Sequence, residues 1–365
     1  MSDRWRDRVA VGLLAVVLAA FFLWAAFKPA DAVSESERRQ LAQFPHASLE
    51  SFASGRFMED FDAYAVDQFP LREGFRALYA AVSLGPMGKS DIDGLFVKDG
   101  MAFSLEYPLD AGSIDHASDV FARICERYGL EEGRIWAAVI PDKTYFLRDD
   151  PSVLTLDYGE LANRLEQRNP QMEWIDIAPL LEVGDYYATD PHWRQERIFD
   201  VAQHIAAQMG VALPEGFEEH VAASEFRGTY AHQLSVPMPG EPLVYVDGAP
   251  FAACSAYDWQ SGREMGLYDM AKAQGRDPYE MFLSGSLSYV TIENPAAATD
   301  RELVVFRDSF GSSIAPYLAA GYAKVTLLDV RYLPSTAIPE TVDFDGADVL
   351  FLYSVSVLNN SSALK

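Results

Sequence analysis

Only two of the 365 residues are cysteine, Cys125 and Cys254, and no C-x-x-C or Cys/His cluster surrounds them. A zinc site built on cysteine is therefore excluded, while a single disulfide stays open if the body is exported. The chain has no P-loop and no G-x-G-x-x-G, so the common phosphate-cradling loops are missing. It has no internal repeat and no low-complexity tract. Its motifs call for no metal and no organic cofactor. Positive charge is also short: 29 Lys+Arg face 54 Asp+Glu, a net charge of −25. Such a body repels nucleic acid and anionic membrane surfaces, which excludes a partner read through a basic footprint. What remains is 49% hydrophobic residues in 365 positions, enough for one large packed domain or two modest ones.

One apolar run reaches membrane-spanning length. Val9 to Phe27 holds 19 uncharged residues, or ~28 Å of helix against a hydrocarbon core of roughly 30 Å. Arg4, Arg6 and Arg8 precede it, and Asp31, Glu35 and Glu37 follow. The positive-inside rule then keeps the N-terminus cytoplasmic and exports the rest. Ala30-Asp31-Ala32 would suit a cleaved, secreted alternative, but the run exceeds a usual signal-peptide core, which favours an uncleaved single-pass anchor. Residues 1–32 are expected as tail and anchor, and 33–365 as an extracytoplasmic domain. Residues 1–32 carry four basic and three acidic groups, so about −26 falls on the exported part.

Ser34 to Gln43 reads as a polar linker. Ser48 to Tyr79 has helical spacing broken at Pro70, hence two short helices. Two apolar runs around Lys98-Asp99-Gly100 predict a hairpin. Beyond it, short apolar strands are expected at 135–141, 173–177, 303–306, 324–328 and 349–353. Helical stretches at 114–128, 158–168 and 198–209 alternate with some of them. Alternating strands and helices with apolar strands predict a three-layer α/β body around a parallel sheet. Residues from about 211 to 300 break the alternation and read as a partly β insertion, with strands at 243–246 and 287–292.

Two stretches carry candidate chemistry. Val304 to Phe306 runs into Arg307-Asp308-Ser309-Phe310-Gly311-Ser312-Ser313, a strand entering a tight small-residue turn before a helix. Such a turn lifts a serine hydroxyl out of the carboxyl end of a sheet, and backbone N–H groups at the helix start can face an oxyanion. Serine needs a base. His192, in Thr189-Asp190-Pro191-His192-Trp193, can take the proton, and Asp190 can hold the imidazole. Taken singly, the serine also reads as a helix cap and the Asp-x-His as a loop hydrogen bond. Their joint occurrence in an exported α/β body favours Ser309, His192 and Asp190 as a triad.

Asp-x-His-Trp followed far downstream by Asp308-Ser309-Phe310-Gly311 resembles the DHHW family and the related AlgX/AlgJ-type alginate O-acetyltransferases, which are SGNH-hydrolase-like. Arg38-Arg39-Gln40-Leu41-Ala42, Asp67-Gln68-Phe69-Pro70-Leu71-Arg72 and Leu328-Asp329-Val330-Arg331-Tyr332 are similar to that family too. The resemblance implies an SGNH-hydrolase-like fold after an N-terminal transmembrane helix. It implies Ser309 as nucleophile, with His192 and Asp190 completing the triad in the order Asp, His, Ser. It implies acetyl transfer to, or removal from, an extracytoplasmic polysaccharide, with a membrane-bound O-acyltransferase as acetyl donor. A catalytically inactive envelope module that binds glycan or a partner is the alternative. It is motivated by Pro191, where the family name has His, and by Arg307, where SGNH enzymes usually have Gly. The Ser309 and Gly311 backbones are the expected oxyanion donors. Arg307, Arg331, Tyr332 and Trp193 are candidate substrate contacts. A strongly anionic polymer would need a basic patch from Arg307 and Arg331; without one, a neutral or cationic glycan is expected.

Overall fold

The computed structural model describes residues 3–34, 39–130 and 132–365. Its contacts divide the chain into two compact units. The first runs to Ile92 and includes His232–Val236; the second is Asp93–Ala231 with Pro237–Lys365. Residues 33–92, expected in the exported domain, thus group with the N-terminal helix.

In the first unit a single helix, Asp3–Phe27, contains the whole apolar run. Three further helices follow at Leu49–Ala53, Arg56–Asp67 and Arg72–Leu84. The break near Pro70 is where expected, but a second one falls at Gly55, whose φ of 79° suits glycine. Asp67 is the polar anchor of this unit. It accepts from the Arg39 guanidinium and from the Ala42 N–H, and the Arg39 hydrogen bond holds its carboxyl well below the usual range, at about 2. Part of the expected Ser34–Gln43 linker, residues 35–38, and with it Arg38, lies outside the described residues.

The second unit is built on an eight-stranded sheet. Its strands are β1 (Ile135–Ile140), β2 (Glu173–Trp174), β3 (Ser255–Asp258), β4 (Arg263–Met265), β5 (Tyr289–Glu293), β6 (Glu302–Arg307), β7 (Lys324–Leu328) and β8 (Asp348–Ser354). The order across the sheet is β4-β3-β5-β7-β6-β8-β1-β2. From β7 to β2 all pairings are parallel; β5, β3 and β4 extend the β7 edge antiparallel. The alternation of side chains along β6 explains the three layers. Leu303 and Val305 join one core with the helices Phe199–Gln208 and Gly311–Gly321. Val304 and Phe306 join a second core with Ala111–Tyr128 and Tyr158–Arg168. Strands buried on both faces read as unbroken apolar runs, which is why they were legible.

The hairpin at Leu95–Lys98 and Met101–Ser104 turns on Asp99 and Gly100, both with positive φ as a type I′ turn needs. The partly β insertion has two fates. Phe217–Phe226 and Glu241–Gly248 pair as a bulged two-stranded ribbon, whereas β3, β4 and β5 are absorbed into the main sheet. Cys125 is buried and Cys254 half-buried, and both are free thiols.

Candidate active site

The loop after Tyr186 doubles back on itself. Tyr186 and Trp193 form an isolated antiparallel bridge, and the Tyr187 N–H donates to the His192 carbonyl (3.1 Å). Asp190 and His192 sit at the tip of this short return. One Asp190 oxygen meets both His192 Nδ1 (2.5 Å) and the His192 N–H (3.2 Å). The other accepts the Thr229 N–H (2.8 Å). With the carboxylate on Nδ1, that nitrogen carries the proton, and Nε2 presents its lone pair. Nε2 lies 2.8 Å from Ser309 Oγ.

The turn carrying Ser309 is shaped by Asp308, fully buried just past β6. Its two oxygens accept the Phe310 N–H (3.0 Å) and the Ser354 N–H at the end of β8 (2.8 Å). The turn is thereby fastened to the neighbouring parallel strand. Glycine is required at 311, since a Cβ there would lie 2.7 Å from the Arg307 Cβ. Glycine is equally required at 228, where a Cβ would lie 2.2 Å from that of Asp190.

Several contacts around Asp190, His192 and Ser309 have no signature in the sequence. The Tyr279 ring stacks on the His192 imidazole, with centroids 3.9 Å apart and planes 10° from parallel. Its hydroxyl donates to Ser313 Oγ (2.8 Å), which also receives the Trp193 indole N–H (2.8 Å). One hydroxyl in the helix after Ser309 therefore holds both Trp193, the neighbour of His192, and the ring that backs the imidazole. Lys143, just past β1, is buried and donates to the Tyr187 carbonyl (3.0 Å) at the root of the Asp190 loop. Burial pulls its ammonium down to about 7, against the opposing pull of Asp190, Glu241 and Asp142. Glu241 caps the same loop, accepting from Thr189 N–H and Oγ1 and pairing with Arg194.

Three sequence expectations are corrected. Trp193 is fully buried, its indole N–H spent on Ser313, so it packs the site from behind and offers no exposed edge to a substrate. Arg307 is also fully buried; its guanidinium donates to the Leu287 and Asp308 carbonyls. Gly311 gives its N–H to the Asp308 carbonyl (3.1 Å), which leaves Ser309 as the candidate backbone oxyanion donor of the expected pair. Arg331 is mostly buried and bidentate on Asp329, while Tyr332 is exposed. Arg307, Asp308, Asp329 and Arg331 cancel in charge, so these arginines build no basic patch. Among the described residues no three His, Cys, Asp or Glu side chains gather as a metal site.

No protein-family model matches the sequence, and no curated protein matches it. Solved structures do match in fold. PatB1 from Bacillus cereus, solved with a sulfonyl adduct, superposes with a TM-score of 0.58 at 19% identity, over 72% of this chain and 95% of that one. A DHHW family protein from Eubacterium siraeum gives 0.60 at 18% identity, over 75% and 95%. The fold that the resemblance implies is thus matched by solved structures, a DHHW family protein among them.

Proposed function

We propose that the chain is a serine-dependent O-acetyltransferase, or acetylesterase, acting on an extracytoplasmic polysaccharide through an acetyl-serine intermediate. The observation that carries this reading is the continuous Asp190–His192–Ser309 hydrogen-bonded chain at the carboxyl end of β6. The inactive alternative is favoured by a His192 beyond hydrogen-bond reach of Ser309, and the 2.8 Å contact between Nε2 and Oγ speaks for the catalytic reading.

In the first half-reaction Ser309 Oγ attacks the acetyl carbonyl while His192 Nε2 takes its proton. The tetrahedral oxyanion faces the Ser309 N–H. Its collapse breaks the bond to the donor oxygen, which leaves with the proton from His192. In the second, a sugar hydroxyl attacks the acetyl-serine carbonyl, His192 takes that proton, and the Ser309 oxygen leaves and recovers it. Water in place of the sugar yields acetate instead. Asp190 stays ionised throughout and stabilises the imidazolium. A membrane-bound O-acyltransferase would present the acetyl group on the outer face of the membrane crossed by Val9–Phe27. Arg307 and Arg331, neutralised by their neighbours, and a chain of net charge −25 favour a neutral or cationic acceptor glycan over an anionic one.

The test is mass spectrometry of the full chain after a sulfonyl fluoride and after an acetyl ester. Adducts confined to Ser309, and absent from Ser309→Ala, are expected. Ester turnover that survives Ser309→Ala would overturn the reading, as would glycan binding in the absence of any Ser309 adduct.

A further inference from the structure

Outside the site, the strongest unexplained feature is the surface of the first unit. Met58 and Val66 on the helix Arg56–Asp67, Phe75, Leu78 and Val82 on the helix Arg72–Leu84, and Phe69 in the turn between them are all exposed. Several border a groove of about 660 Å³ lined by Ala65, Val66, Phe69, Phe75 and Tyr79 together with Asp62, Arg72 and Arg76. Scattered apolar residues on a surface need no explanation, but a contiguous stripe at helical spacing does. The stripe is continuous with the membrane-length helix. Phe21 stacks on Phe69 (5.6 Å, 9°) and meets Phe75 edge-on (6.2 Å, 62°). Phe21 lies six residues before Phe27, the last residue of that helix, or ~9 Å along its axis. If that helix crosses a bilayer, the rings touching Phe21 cannot stand clear of it. The depth matches the ~5–10 Å at which amphipathic helices bury their apolar faces.

We propose that the apolar face of residues 58–82 lies in the outer interfacial layer of the same bilayer that the Val9–Phe27 segment crosses. The occupant of the groove is lipid: acyl chain against Phe69, Phe75 and Leu78, with Arg72 and Arg76 at headgroup level. Tyr79 belongs to the same belt, where an aromatic ring with one polar end is favoured. The proposal rests on the anchor reading above and on no property of the serine site.

The experiment uses the full chain, with Cys125→Ala and Cys254→Ala, in neutral phosphatidylcholine vesicles. A fluorophore is placed on a single cysteine at Phe75, Leu78, Leu14 in the N-terminal helix, or Leu154 in the second unit. Brominated lipid should quench the labels at Phe75, Leu78 and Leu14. Iodide should quench those at Phe75 and Leu78 at least about threefold less than that at Leu154. Ester turnover of each labelled chain checks the fold of the second unit. If Leu14 is in lipid while Phe75 and Leu78 are as open to iodide as Leu154, the proposal is overturned and the anchor stands. If Leu14 is itself in water, both fall. Shielding of Phe75 and Leu78 in native membranes but not in pure lipid also overturns it, and assigns the face to a protein partner.

Discussion

Phe306 and Phe75 are both aromatic residues on regular elements, and they live in opposite surroundings. Phe306 is fully buried in β6, stacked on Phe351 at 4.7 Å. Phe75 is 46% exposed, on a helix whose buried residues are only Ala80 and Ser83. The contrast runs through both units. In the second, two apolar cores sandwich the sheet and hold Asp190, His192 and Ser309 on a rigid frame. In the first, helices of similar composition keep much of their apolar surface outside. Hydrophobic burial is non-directional, so surface that the protein does not cover must be covered by something else or be a liability. The second unit spends its apolar residues on positioning three side chains; the first presents them.

The sharpest way to test this division is at the nucleophile. Ser309→Ala should lower acetyl-ester turnover by about 10⁴-fold or more, while leaving the chain in the membrane fraction. Steady-state kinetics and sedimentation measure the two effects separately. Next in size is the paired truncation of the two phenylalanines. Phe306→Ala should destabilise the second unit by about 3–5 kcal/mol, and Phe75→Ala should cost less than about 1 kcal/mol in detergent. Chemical unfolding with a probe in each unit reads both, and equal losses would break the comparison. Smaller still is the effect of the ring behind the base. Tyr279→Leu removes the stack on His192 and should lower turnover about tenfold and displace the limb of the pH profile that reports the base. Tyr279→Phe keeps the ring, loses the Ser313 hydrogen bond, and should restore most of the rate.

The last expected effect is a slope with pH, not a single loss. Lys143 titrates at about 7 in the fold against an ordinary value of about 10.5 in the unfolded chain. Its folded value is depressed, so the stability linked to it is present above about pH 10.5 and is lost as pH falls through about 7. Lys143→Met should flatten the part of the stability curve lying between those values. Thermal midpoints across that range measure it, and an unchanged slope would place the ammonium in contact with water.

Much of this was readable in one dimension, for reasons that differ by element. β1, β6, β7 and β8 are short apolar runs because both sheet faces are covered. The run at 173–177 predicts a full strand, yet only Glu173 and Trp174 pair; Ile175 and Ile177 are buried as irregular chain, which an apolar pattern cannot distinguish from strand. Asp190, His192 and Ser309 could be singled out because their chemistry is concentrated in two short motifs. Tyr279, Gly228 and Lys143 could not, because each reaches the site from a distant segment and carries no local pattern. Trp193 and Arg307 misled for the opposite reason. They adjoin the motifs in sequence, but alternation and the Gly311 packing turn them inward.

The Asp190–His192 pair spans three residues of one loop, while the step from His192 to Ser309 spans 117 positions. The acid–base half is therefore a local structure with little chain entropy to lose, and the other half is a long-range closure. That closure needs β6 seated between β7 and β8, deep in the order of the sheet. Recovered activity after dilution from denaturant would then be a clock for sheet assembly: it should appear no earlier than the insertion of the central strand, however quickly the loop around His192 regains its shape.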